Sequence, residues 1–413
     1  MFKNTPEPLA ESGTELISAI APATVLPGKA SNTKLSTEEF LQKLPDVVCL
    51  SHLRWDFVYQ RPQHLLSRFA RHCRVFFVEE PVFETIPEPF LHTSERGENL
   101  LLVVPHLPHG LQEKEIEEIQ RNLLSNLFAT QQLMQPILWY YTPMALSFTD
   151  RLQASLIVYD CMDELSAFKF APPRLKDLEQ ELFRRADLVF TGGHTLYKAK
   201  QKQHPAVKAF PSSIDKAHFA LAKEPLTPPA DQVEIPEPRL GFFGVIDERM
   251  DIDLLAALAD ARPEWQLVMI GPIVKIDPAT LPQRANIHYL GGKTYQELPA
   301  YISGWQVALL PFALNESTTF ISPTKTPEYL AAGKPVVSTP IQDVVRPYGE
   351  AGLVHIAASA PDFVSAIEQA LAQQHDEVWQ QQVDDFMRDM SWDNTWRGMV
   401  ELMAQAMKAE TKA

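Results

Sequence analysis

The chain has 413 residues, 45% of them hydrophobic and 22% charged, the mix of a soluble globular protein long enough for two domains with separate cores. A net charge of −15 supplies no basic surface for nucleic acid, although it leaves room for a local basic cleft around a phosphorylated small molecule. Cys49, Cys73 and Cys161 are odd in number and far apart, which favours buried thiols in a reducing compartment over disulfides or a metal site.

Residues 1–44 are rich in Pro, Ser, Thr, Ala and Glu without a sustained period, so a flexible tail is expected there, with a short helix near its end. No signal peptide opens the chain and no apolar run approaches the ~20 residues that span a bilayer, so the expected compartment is the cytoplasm, with at most peripheral membrane contact. The first domain is expected over residues 45–222. It opens with Val47-Val48-Cys49-Leu50-Ser51, an apolar run of the kind a buried parallel strand makes. The loop from His52 to His64 that follows is crowded with polar and aromatic side chains. Loops after a first strand are where doubly wound folds place ligands, so Arg54, Trp55, Asp56, Gln60, Arg61 and His64 are candidates for a sugar or phosphate site. The plainer alternative packs Trp55, Phe57 and Tyr59 over the sheet edge and pairs Arg61 with Asp56.

Further strands are expected at 74–78, 100–104, 137–141, 156–160, 187–191 and 207–210, with helical patterns at 112–134 and 174–186 between them. Alternating buried strands and amphipathic helices argue for a parallel sheet covered on both faces. Two strand ends carry chemistry. Asp160, Asp163 and Glu164 lie just beyond an apolar strand, where one carboxylate in a dry cleft can act as a general base; a helix cap or first-turn acid is the plainer role for Asp160 and Glu164. Thr191-Gly192-Gly193-His194 ends another strand with glycines that admit a close ligand and a histidine facing the same crevice, structural or functional.

Residues 223–238 are proline-rich and read as a linker. The second domain, expected over 239–375, begins with the strand Arg239-Leu240-Gly241-Phe242-Phe243 running into Gly244 and then Asp247-Glu248-Arg249. This is a weak echo of a phosphate-cradling turn. Strands are expected at 266–270, 287–290, 307–310, 336–338 and 353–356, with a helix at 362–371. Residues 376–413 carry enough Trp, Phe and Met to dock as a helical segment on either domain.

The most informative stretch runs from Ser322 to Thr339. It reads as a short helix opening on Ser322 with Pro323 at its first position, closing at Gly333 and feeding a strand at Val336-Val337. Pro327 makes a start at Thr326 the alternative. Lys325 and Glu328, three apart, share one helix face. A cation beside a carboxylate at a helix start suits a nucleoside diphosphate, the lysine meeting phosphate and the carboxylate accepting from ribose hydroxyls; an ordinary capped helix with a surface ion pair is the alternative.

Two such domains, the linker and the 322–338 stretch together resemble the GT-B glycosyltransferases, in particular those similar to family 4. Their hallmark glutamate followed by Ala-x-Gly-x-Pro-Val-Val is matched by Glu328-Tyr329-Leu330-Ala331-Ala332-Gly333-Lys334-Pro335-Val336-Val337. A domain-joining Pro-Asn-Gly-Val-Asp-x-x-x-Phe is echoed in Pro211-Ser212-Ser213-Ile214-Asp215-Lys216-Ala217-His218-Phe219. The resemblance covers residues 45–405. The family's second glutamate, eight positions earlier, is replaced by Phe320, and the sequence looks like a branch carrying Ser-Pro-x-Lys-x-x-Glu. That resemblance implies an α/β fold of two Rossmann-like doubly wound domains facing a central cleft, with a C-terminal helical tail. It implies transfer of a sugar from a nucleotide diphosphate donor, UDP-linked, to a glycan or lipid-linked acceptor, with no metal and no cofactor. Lys325 would contact pyrophosphate and Glu328 ribose, with Gly244, Arg249, Lys293 and Tyr295 also on the donor side and His288 to Lys293 framing the base. Asp163 is the nearest match to the branch's catalytic base, and Arg54, Trp55, Asp56, Gln60, Arg61 and His194 fall on the acceptor side. A sugar-nucleotide epimerase of the same fold and a non-catalytic nucleotide-sugar-binding protein are the rival readings.

Overall fold

The computed structural model describes residues 37–410, with side chains to Met407. Most of the expected tail, residues 1–36, lies outside the described residues. Its last part is docked: Thr37–Gln42 form a helix, and Phe40 and Leu44 are buried.

Among the described residues the first sheet has nine strands: β1 (Val47–Leu50), β2 (Val75–Val78), β3 (Val82–Glu84), β4 (Phe90–Gly97), β5 (Leu100–Pro108), β6 (Ile137–Tyr140), β7 (Leu156–Cys161), β8 (Leu188–Thr191) and β9 (Val207–Ala209). The order is β3-β5-β2-β1-β6-β7-β8-β9, and β4 alone runs antiparallel, on β5. The second sheet holds β10 (Arg239–Phe243), β11 (Gln266–Ile270), β12 (Ile287–Gly291), β13 (Val307–Leu310), β14 (Val336–Ser338) and β15 (Val354–Ile356), all parallel, in the order β12-β11-β10-β13-β14-β15. These are the two doubly wound units expected from the sequence. The order reverses between β1 and β6 in one sheet and between β10 and β13 in the other, and such switch points open crevices at the carboxyl ends of the strands.

The strands are continuous apolar runs because both faces are covered. In β1, Val47 and Cys49 enter a core beneath the helix Arg61–Phe69, while Val48 and Leu50 enter a second core with residues of Glu113–Thr130 and Leu175–Arg185. The second domain has one continuous core. The proline-rich linker is anchored on it: Asp231 accepts the Tyr301 hydroxyl (2.7 Å), Gln232 is buried, donating to the Tyr301 carbonyl (2.9 Å) and accepting from the Trp305 indole (2.9 Å), and Ile235 joins the core.

The C-terminal segment divides between the domains. Trp379 and Val383 of the helix Glu377–Phe386 join the second core, whereas Trp392, Trp396, Met399 and Met403 of the helix Trp392–Glu410 join the first. Trp392 is 1% exposed and stacks on His64 at 4.6 Å. Trp392→Ala should destabilise the first domain by about 3–5 kcal/mol, the usual cost of emptying an aromatic site. A urea transition followed by circular dichroism should show the midpoint fall; an unchanged midpoint would mean that the last helix does not support that core.

Candidate active site

The helix that carries the hallmark glutamate spans Lys325–Ala331, so it begins three residues after Ser322 and is too short to act as a strong dipole. Thr324 stands at its N-cap, its carbonyl accepting the Glu328 amide (3.4 Å), so the helix opens at Lys325 rather than at Pro323 or Thr326. Gly333 sits just past its end at φ +70°, the left-handed conformation that closes such helices. The Tyr329 hydroxyl accepts the Phe243 amide (2.9 Å) and thereby docks the helix on the end of β10.

That docking lays Lys325 along Gly244. The backbone at Gly244, with φ +139°, favours glycine, and a Cβ there would lie 2.1 Å from Lys325 Cε and 2.6 Å from Nζ and displace the end of the lysine. The ammonium lies 5.7 Å and 6.0 Å from the Phe242 and Phe243 ring centroids and forms no ion pair among the described residues. Dry surroundings push its pKa down, with Glu328 opposing. Glu328 is 7% exposed, its Oε2 has no hydrogen-bond partner, and burial raises its carboxyl pKa against the pull of Lys325. Both face a cavity of about 580 Å³ between the domains. Tyr295 joins them there with a buried, unpartnered hydroxyl, its ring stacked on His218 (4.1 Å) and on Tyr59 of the first domain (4.5 Å).

The three carboxylates at the end of β7 and just beyond it separate by partner. Asp160 is wholly buried and receives Arg61 (Nη2–Oδ1 2.8 Å, Nε–Oδ2 3.0 Å); Glu164 pairs with Lys200 (2.7 Å), which also holds Glu179 (2.8 Å). Asp163 forms no ion pair among the described residues. It is half-buried and lines a small cavity of about 100 Å³ with Gln60, Ser212, Arg249, Ser322 and Lys325, contiguous with the larger one through shared lining residues. Burial raises its pKa, with the guanidinium groups of Arg249 and Arg61 opposing.

Arg249 also lines both cavities, its guanidinium held by Asp247 (2.6 Å) and 5.6 Å from the ring of Phe168, a residue of the first domain.

Other sequence-predicted residues are engaged elsewhere. Arg61 is 0% exposed, spent on Asp160 and the Phe210 carbonyl (2.7 Å), so it meets neither acceptor nor Asp56. Asp56 is exposed and paired with Arg96 (2.6 Å) instead. Arg54 is tied to Glu79 (2.8 Å), and the Trp55 ring packs edge-on against Phe77 (5.1 Å). Trp55, Asp56 and Gln60 line the same cavity as Lys325 and Glu328, which puts this loop over the donor side as well. Lys293 reaches that cavity but is bound to Asp231 (2.5 Å), and His288 bonds Gln266 (2.8 Å). His194 lines neither cavity. Its side chain is exposed, and its backbone amide donates across the domains to Asp343 (2.8 Å), which also accepts the Thr195 amide (3.0 Å). Asp343 and Phe168 were not read from the sequence, and Tyr59 was read only as packing over the sheet edge, since only the third dimension supplies their partners across the cleft.

Residues 237–373 match the family model described as Glycosyl transferases group 1. A curated relative from Bacillus subtilis (strain 168), the putative teichuronic acid biosynthesis glycosyltransferase TuaH, is 24% identical over 285 residues, covering 64% of this chain and 70% of that protein. The sucrose-phosphate synthase structure from Thermosynechococcus elongatus superposes with a TM-score of 0.64 at 15% identity, over 88% of this chain and 100% of that one. Starch synthase IV from Arabidopsis thaliana, bound to ADP and acarbose, gives a TM-score of 0.60 at 10% identity, over 88% and 99%. The solved structures establish the GT-B fold, and the family match falls on the domain that holds Lys325 and Glu328. The chain is a glycosyltransferase.

The transferase carries a stability signature at Asp163. Its folded pKa stands above the unfolded value, so the folded state holds the extra proton. The resulting stability is present at low pH and lost as pH rises from the ordinary carboxylate range through the raised folded value. Asp163→Asn removes that loss. The variant should melt close to the parent near pH ~3.5 and above it near pH ~7 in thermal scans; equal melting at both would place the ionised carboxylate in a comfortable environment.

Proposed function

We propose that this transferase, a member of the Ser-Pro-x-Lys-x-x-Glu branch similar to family 4, moves a sugar from a UDP-linked donor to a hydroxyl of a glycan or lipid-linked acceptor in polysaccharide or cell-envelope assembly. One observation carries the reading. Lys325, a cation without an anion, and Glu328, a buried carboxylate with an oxygen unpartnered, face one interdomain cavity. A diphosphate supplies the anion and a ribose the hydroxyl donors. Arg249 would share the diphosphate charge with Lys325, so the cationic work of departure falls to side chains rather than to a metal. The Tyr295 hydroxyl and the loop from Trp55 to Gln60 would close over the nucleotide.

In the reaction the acceptor oxygen bonds to the anomeric carbon, the bond from that carbon to the phosphate oxygen breaks, and its electron pair leaves on UDP. Asp163 takes the acceptor's proton, and burial, which raises its pKa, makes its carboxylate a stronger base. The acceptor class follows the printed role of TuaH in teichuronic acid biosynthesis. We place the work in the cytoplasm with peripheral access to lipid-linked substrates. Three buried, unbridged cysteines support this, and among the described residues no helix is long and apolar enough to cross a membrane.

Two variants should separate the roles. Glu328→Gln should weaken UDP binding in calorimetry about tenfold or more, since charge-assisted hydrogen bonds contribute roughly 1.5–3 kcal/mol. Asp163→Asn should keep UDP affinity and lose turnover roughly 10²- to 10⁴-fold. Unchanged UDP affinity in the first, or near-parental turnover in the second, would remove the corresponding assignment.

A further inference from the structure

A second cavity lies outside the donor site, in the crevice where the first sheet reverses its order. It occupies about 280 Å³ at the carboxyl ends of β1, β2 and β6, between those strand ends and the helix Glu113–Thr130. Phe83, Ile116, Met144 and Phe148 line it with apolar surface, and Phe83 is 40% exposed. Gln120, 5% exposed, lines the same space, and its side-chain amide makes no hydrogen bond among the described residues. A buried amide without a partner calls for a ligand that supplies one.

The charged lining residues restrict that ligand. All are carboxylates: Glu79, Glu80, Glu113 and Glu117. Glu79 is held by Arg54 (2.8 Å), and Arg174 holds both Glu113 (2.7 Å) and Glu117. Glu80 is exposed at the rim and forms no ion pair among the described residues. No cation lines the cavity. Arg54 and Arg174 are spent on Glu79, Glu113 and Glu117, so a phosphate or a carboxylate-bearing sugar finds no free cation on the lining and meets the unpaired Glu80. A ring with an apolar C–H face and neutral hydroxyl groups matches both the walls and the acceptors.

We infer that this cavity is a subsite for an uncharged pyranose unit of the acceptor, seated against Phe83 and Phe148 with its hydroxyls on Gln120 and Glu80. The inference rests on the transferase reading above and names the acceptor chemistry for it. β7, which leads to Asp163, lies beside β6, and adjacent strands are ~4.8 Å apart, so an acceptor anchored here extends toward Asp163 along the same sheet edge.

Saturation-transfer NMR on the full chain with UDP present tests this. The probes are methyl β-glucopyranoside and methyl N-acetyl-β-glucosaminide, set against methyl β-glucuronide, glucose 6-phosphate and the prenyl alcohol farnesol. The neutral glycosides should receive saturation and the two anionic sugars should not. Phe83→Ala and Gln120→Leu should each weaken the neutral glycosides about fivefold, the size of one neutral hydrogen bond or less, while UDP affinity in calorimetry stays at the parental value. If Gln120→Leu does not fold, the surface variant Phe83→Ala decides alone. Three results overturn the inference: neutral glycosides that do not bind or ignore the variants, anionic sugars that bind equally and lose affinity with them, or farnesol that displaces the glycosides. Absent UDP binding by the parental chain would instead overturn the donor assignment, and the glycoside signals, collected also without UDP, would still decide the subsite.

Discussion

The contact between Lys325 and bare backbone at Gly244 is the constraint around which the second domain is arranged. β10 must end without a side chain so that the lysine can lie across it, and the neighbouring strand repeats the requirement: a Cβ at Gly271 would fall 1.8 Å from the Gly244 carbonyl oxygen. Two strand ends stripped of side chains leave a floor of peptide groups at the switch point. The helix Lys325–Ala331 then brings its lysine and, one turn on, its glutamate to the edge of that floor, held there by the hydroxyl of Tyr329 under the Phe243 amide. Low local polarity disfavours the charged form of each group, so the unliganded site holds two ionisable groups whose partners are incomplete.

The first domain answers with a carboxylate isolated by its neighbours. Asp160 and Glu164 flank Asp163 closely in sequence, and each is fixed by a cation from a different helix, Arg61 and Lys200. Those two pairs fix the segment on either side of Asp163. Contacts then join the halves across the cleft: Phe168 lies near both Arg249 (5.6 Å) and Lys275 (5.2 Å), Tyr59 stacks on Tyr295, and Asp343 binds the amides that open the helix His194–Lys200. Each is modest alone; Arg249, Tyr59 and Tyr295 tie a cavity wall to the opposite domain, and the Asp343 contact joins the domains away from the cavities.

Much of the fold was legible because parallel strands covered on both faces must be unbroken apolar runs. The runs at 307–310 and 336–338 coincide with β13 and β14. β3 and β4 escaped because the exposed strand Phe90–Gly97 mixes aromatic, polar and charged residues without a period. The site was legible where it rests on local spacing, as for Lys325 and Glu328. It was misread where a long side chain travels: Arg61 looks like a ligand-binding arginine beside Asp56, yet its partner lies 99 residues away on the strand β7. The linker misled in the same way, since composition marks 223–238 as patternless while Gln232 makes two buried hydrogen bonds. Gln120 was unreadable, because an amide on an amphipathic helix looks solvent-facing until the cavity beneath it is seen.

The path of the C-terminal segment has a mechanical consequence. The chain passes between the domains twice, once ahead of the linker and once between the helices Glu377–Phe386 and Trp392–Glu410. The two passages touch, because the Lys216 ammonium donates to the carbonyls of Met387 (2.9 Å) and Arg388 (2.7 Å). A body tied to another by two adjacent tethers turns about the line through them far more readily than it slides. The two passages therefore leave the domains one soft direction of relative movement, rotation about the line through Lys216 and the Met387 and Arg388 carbonyls.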